Sequence, residues 1–207
     1  MSPKVDVSEE RRQQILEAAT SVFSRLGFHK ARMDDIVEES GLSKGALYWY
    51  FKSKDDIILA ILDNLFEQDL SHLQLVTESD LKSSASETLR KFTHNALADI
   101  KQMLRLMPLT YEFYAMAFRN KSVKQALKGY LRKYIGVLTP IIQKGVDDGE
   151  FRRVDPQDAA ISLGAMIEGI LLLWTYDPET IDLDRHFEIA TDLFLQGLET
   201  SHRPEYE

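Results

Sequence analysis

Residues 32–56 constrain the fold more than any other stretch: Arg32, Met33, Asp34, Asp35, Ile36, Val37, Glu38, Glu39, Ser40, Gly41, Leu42, Ser43, Lys44, Gly45, Ala46, Leu47, Tyr48, Trp49, Tyr50, Phe51, Lys52, Ser53, Lys54, Asp55 and Asp56. Asp34 and Asp35 fall in the first turn of a helix predicted from Met33 to Glu39, where the helix dipole favours acids, and Gly41 ends that helix. Leu42 plugs the turn, Ser43 offers an oxygen to the free amides of the next helix, and Lys44 to Tyr50 form it. Ile36, Val37, Leu42, Leu47 and Phe51 are assigned to the interior. Two short helices at a glycine turn, the second carrying a cation and aromatics, make a shape that enters a DNA groove.

Tyr48, Trp49 and Tyr50 cannot all face one core, because successive side chains on a helix diverge by about 100°. Ser43, Lys44, Gly45, Ala46, Tyr48, Trp49 and Tyr50 are therefore expected to lie largely outward, suited to phosphate contact and base readout. Arg25, Lys30, Arg32, Lys44, Lys52 and Lys54 gather around the same turns, as an electrostatic footprint on phosphate requires. Ser53 and Asp56 open the following helix with a capping box, and a further phosphate is expected there beside Lys54.

Gly41 to Lys54 resembles the helix-turn-helix signature of the TetR family of bacterial transcriptional regulators. The resemblance extends over residues 9 to about 60, including the preceding helix with its stripe of Ile15, Ala18, Ala19, Val22, Phe23 and Leu26; beyond that it is one of length and helical layout. Two positions depart from the family pattern. Met33 stands where Thr is usual and offers neither a cap nor a hydroxyl to phosphate; Ala46 stands where Thr or Ser is frequent and suits a thymine methyl instead.

The resemblance implies an all-α protein of about nine helices, with a three-helix DNA-binding domain over residues 1–53 and a larger effector-binding and dimerisation domain over 54–207. Charge agrees with this division: residues 1–54 hold 9 Lys/Arg against 8 Asp/Glu, and 55–207 hold 16 against 25, so the acidic excess behind the net charge of −8 belongs to the second part. The absence of cysteine excludes disulfides and thiolate metal sites and fits a reducing, cytoplasmic setting. The strictly apolar run Ile170 to Trp174 is too short for a membrane span.

Downstream, apolar periodicity predicts helices from Lys54 to about Leu75, from Leu89 to Met107 with Pro108 as its stop, over Leu109–Arg119, from Ser122 to Asp147 with a bend at Pro140, from an Asp155 cap and Pro156 to Tyr176, and from Asp182 or Asp184 to Leu198. The second domain is rich in large side chains at central positions. Each serves a core by default; together, Phe92, Met103, Met107, Tyr111, Tyr114, Phe118, Met166, Glu168 and Trp174 are the candidates for an effector pocket. Glu168, in an otherwise apolar helix, requires a pairing, a subunit interface or a ligand. By the family resemblance, Ala160, Leu163, Ile167, Leu171, Ile189, Leu193 and Phe194 on the last two helices form a symmetric four-helix dimer interface. Two readers about 34 Å apart then imply a palindromic operator, and an effector that tilts the Lys54–Leu75 helix spoils their spacing.

An enzyme is the competing class. Paired Glu-x-x-His motifs, a phosphate loop, a nucleophile elbow and His-Glu-x-x-His are all missing, and the five histidines are scattered. No cofactor or metal is expected; the partners are duplex DNA, a small effector and a second copy, with no membrane. The alternative is a helical ligand-binding or scaffold protein without operator binding.

Overall fold

The computed structural model describes residues 7–64, 83–104 and 107–200, with only the backbone described for Gln102, Met103, Met107 and Pro108. Nine helical segments occur among the described residues: α1 Val7–Leu26, α2 Met33–Ser40, α3 Lys44–Tyr50, α4 over 54–64, α5 Ala85–Met103, α6 Met107–Ala117, α7 Lys121–Asp147, α8 Pro156–Tyr176 and α9 Leu183–Leu198. The expected all-α architecture is observed. Of the helix expected from Lys54 to Leu75, the part beyond residue 64 lies outside the described residues, and its proposed tilting with it. Pro108, expected to stop α5, sits instead in the first turn of α6, where its missing N–H costs nothing. Asp155 caps α8 by accepting from the Gln157 and Asp158 amides, with Pro156 at the first helical position, as the sequence implied.

The chain divides into two compact units. The first comprises Met1–Glu67 together with Arg105–Lys128; the second comprises Gln68–Leu104 and Gly129–Glu207. The unit that holds the helix-turn-helix thus contains the expected 1–53 and adds α4, α6 and the start of α7. Its core explains the addition: Leu109 and Phe113 from α6 and Val123 from α7 are buried with Ile15, Val22 and Phe23 of α1, Ile36 of α2, Leu47 of α3 and Ile57, Ile58 and Ile61 of α4. These side chains are far apart in sequence, so no local pattern groups them.

The second unit buries Leu89 and Phe92 of α5, Leu138 and Ile142 of α7, Ala160, Leu163, Ile167 and Leu171 of α8, and Phe187 and Leu195 of α9. Its closure runs through the turn after α7. Gly145 lies so close to Phe151 that a Cβ there would fall 2.3 Å from the ring, and the Arg152 amide donates to the Leu198 carbonyl at the end of α9 (2.7 Å). From the same turn the Glu150 carboxylate accepts from the Ala85 and Ser86 amides (2.7 and 2.8 Å), capping α5 with a group from another element.

Partial burial pushes the Glu150 carboxyl up, but hydrogen bonds from Ser86 and Ala85 and the Lys144 charge outweigh it and hold it below the usual glutamate range. A depressed carboxyl stabilises the fold above its unfolded value, about 4.3, and that contribution is lost as pH falls through the lower folded value. Glu150→Ala should therefore cost about 1 kcal/mol at pH 7, the size of a lost cap. The gap between wild-type and variant denaturation midpoints should narrow as pH falls below the ordinary glutamate range; a gap that keeps its pH 7 size in acid would show that ionised Glu150 does not hold α5.

Candidate nucleic-acid interface

The turn between α2 and α3 forms as its residues dictate. Gly41 takes φ +66° and its N–H donates to the Val37 and Glu38 carbonyls, a left-handed stop that Gly adopts without steric cost. Ser43 Oγ then accepts from the Ala46 amide (3.2 Å) and starts α3. At the head of α2, the Arg32 amide donates to the Asp35 carboxylate (2.7 Å), so the side chain three positions on supplies the cap that Met33 lacks. Met33 itself is half-buried against the first core.

Leu47 is the buried side chain of α3 and anchors the helix to the unit. Ser43, Lys44 and Gly45 are exposed, Ala46 is half-buried, and Trp49 is 68% exposed. Tyr48 and Tyr50 are less outward than expected, because both pack part of their rings on the core. The Tyr50 hydroxyl also meets Ser8 Oγ at 3.4 Å, and its ring meets Trp49 edge-on, with centroids 4.6 Å apart. Arg32, Met33, Asp34, Tyr48 and Lys54 line an open groove with His29, Lys30 and Ala31.

The cationic footprint is smaller than the sequence implied. Lys44 Nζ lies 2.6 Å from the Asp34 carboxylate, whose hydrogen bond and charge hold the ammonium above the ordinary lysine value. Arg25 pairs with Glu39 (2.8 Å), and Lys52 Nζ donates to the Tyr48 carbonyl (2.6 Å). Lys54, expected on phosphate, instead turns its ammonium onto the carbonyls of Phe28 and Ala31, each at 2.6 Å, and lies over the Phe28 ring. The phosphate site expected at the start of α4 is also altered, since Asp56 accepts from the Lys52 and Ser53 amides (3.0 and 2.9 Å) and so occupies those donors. Lys30 and Arg32 keep side chains without an ion pair among the described residues.

The pocket candidates are divided between the two units, Tyr111, Tyr114 and Phe118 in the first and Phe92, Met166, Glu168 and Trp174 in the second. Phe92 is fully buried in the second unit's core, edge-on to Tyr134, and Phe118 is 89% exposed just past α6. Tyr111 and Tyr114 come together on α6, half-buried with ring centroids 5.8 Å apart. Met166, Glu168 and Trp174 are half-buried on α8; Met103 and Met107 have no described side chains. Among the interface candidates, Ala160, Leu163, Ile167 and Leu171 belong to the protomer's own core. Leu193 and Ile189 are exposed, and Phe194 packs partly on that core. The outer face of α8 carries Ile161, Leu172, Leu173 and Tyr176 instead. Because α8 is apolar all round, periodicity alone did not separate its inner face from its outer one. The same composition gives it an 18-residue window of mean hydropathy 1.6, long and apolar enough by composition to cross a membrane, although the strictly apolar run inside it is short.

The family model for the N-terminal domain of "Bacterial regulatory proteins, tetR family" matches residues 15–61, and that for "BetI-type transcriptional repressor, C-terminal" matches residues 85–198. The chain belongs to the TetR family of bacterial transcriptional regulators. A TetR-family relative, the HTH-type transcriptional regulator YfiR of Bacillus subtilis, is 35% identical over 75% of this chain and 76% of its own. The fold matches that of SmeT, the repressor of the Stenotrophomonas maltophilia multidrug efflux pump SmeDEF, with TM-score 0.76 at 24% identity over 92% and 91% of the two chains. It also matches FadR from Bacillus subtilis in complex with stearoyl-CoA, with TM-score 0.77 at 22% identity over 89% and 98%. The TetR-family assignment makes the protein a helix-turn-helix regulator of transcription that binds DNA.

Proposed function

We propose that the protein is a homodimeric cytoplasmic repressor that binds a palindromic operator and is released from it by a small hydrophobic or amphipathic effector. The observation that carries DNA reading is the division of α3: Leu47 alone is buried while Ser43, Lys44, Gly45 and Trp49 face outward around the helix start. Ser43, Lys44 and Gly45 would meet phosphates and base edges, Ala46 a thymine methyl, and Tyr48, Trp49 and Tyr50 the groove wall, with Arg32 on the flanking backbone. Lys54 acts from behind, by fixing the loop that carries Arg32. The acidic charge of the second unit keeps the rest of the molecule off phosphate.

Dimerisation would use the outer faces of α8 and α9, where Ile161, Leu172, Leu173, Tyr176, Ile189 and Leu193 leave large apolar side chains in water. An apolar effector is supported by the stearoyl-CoA and triclosan held by FadR and SmeT. The activity is binding rather than catalysis.

Selection of duplexes from a random pool tests this reading. Wild type should enrich an inverted repeat, with affinity falling steeply as salt rises. Lys44→Ala should flatten that salt dependence by about one counterion and relax base preference. No enrichment of any duplex at low salt would reject the operator-binding reading.

A further inference from the structure

The loop joining α1 to α2, residues 27–32, is gripped from two sides. Gly27 ends α1 at φ +74°, its N–H on the Phe23 carbonyl, and the chain turns so that the next amide, that of Phe28, points at α6. There the Glu112 carboxylate accepts it: Phe28 N donates to Oε2 at 2.9 Å. The other oxygen, Oε1, lies 3.3 Å from the position of a Cβ on Gly27, so a side chain there would press on the carboxylate. From the opposite side Lys54 Nζ takes the carbonyls of Phe28 and Ala31, while the Phe28 ring is buried edge-on to Phe23. An acid from α6 thus holds the loop's N–H, and a base from α4 holds its carbonyls.

Glu112 stands in the one stretch of the first unit that comes from late in the chain: Arg105–Lys128 is entered from the second unit and left back into it. The loop that Glu112 grips leads directly into Arg32 and α2, which set the position of α3.

We propose that Glu112, through its hydrogen bond to the Phe28 amide, is the positioning residue that holds the reader in its DNA-competent arrangement. This rests on the operator-binding reading. Its physical basis is that a half-buried amide that loses its acceptor makes the loop seek another placement.

The experiment measures affinity of the full-length protein for the duplex enriched by wild type, across a salt series, for wild type, Glu112→Gln and Glu112→Ala. Glu112→Ala should bind roughly tenfold or more weakly, with the slope of log affinity against log salt unchanged, because no phosphate contact is lost. Removing a negative charge would by field alone tighten binding to a polyanion, so weakening has the opposite sign to simple electrostatics. Glu112→Gln keeps an oxygen acceptor and should stay within about threefold of wild type. Hydrogen exchange of the Phe28 amide in wild type, slower with duplex bound than without, checks the same contact should Glu112→Ala fail to fold. Equal binding by Glu112→Ala and wild type, or a Phe28 amide that exchanges as fast with duplex as without, overturns the proposal and leaves operator binding intact. A wild type that binds no duplex removes both.

Discussion

Leu173→Glu combined with Leu193→Glu should leave a folded monomer with operator affinity reduced roughly a hundredfold or more, because linking two readers multiplies affinity by about 10²–10⁴ when both half-sites engage. The two side chains are 55% and 60% exposed in the protomer, so the carboxylates meet water rather than the core and the chain should fold. In a dimer they would lie in a desolvated apolar contact, where an unpaired charge is costly. Analytical ultracentrifugation reads the mass and fluorescence anisotropy reads the affinity. A double variant that remains dimeric would place the partner elsewhere than on α8 and α9.

Leu47→Ala should abolish operator binding for a different reason. Leu47 is fully buried and is the anchor of a seven-residue helix too short to persist without its packing. Truncating a buried leucine costs about 2–5 kcal/mol, a large part of the roughly 5–15 kcal/mol that holds a domain together. The loss should be confined to the first unit. The chain's two tryptophans separate the outcomes, since Trp49 lies in that unit and Trp174 in the other. In Trp174→Phe protein, denaturant-induced change in Trp49 emission should shift to much lower concentration when Leu47 is also truncated. An unshifted transition would show that α3 is held by something other than Leu47.

What the residues revealed unaided was what short-range rules govern. Gly41 at a left-handed turn, Ser43 and Asp155 as caps, Pro156 at a helix start and the Ser53–Asp56 capping box each depend on neighbours within four positions. The candidate site was legible to the same depth: Trp49 faces outward because three consecutive aromatics cannot share one side. Long-range partnerships escaped. Lys54 looked like a free cation because its acceptors are backbone carbonyls 23 and 26 positions earlier, which have no sequence signature. Glu112 drew no notice because its partner is an amide 84 positions away. In α8, Leu171, Leu172 and Leu173 are equally greasy letters, yet only the first is buried in the protomer. A sequence signals burial by contrast between faces, and this helix has little.

The exposed ridge on α8 and α9 has a further consequence for a cell that makes several regulators of this kind. Ile161, Leu172, Leu173, Ile189 and Leu193 are aliphatic, and an aliphatic contact encodes no charge pattern by which one chain can refuse another. Discrimination between self and paralogue would then fall to contour, the fit of branched side chains into the hollows of an identical surface. If this ridge is where two copies meet, shape rather than charge would keep mixed pairs of regulators apart along it.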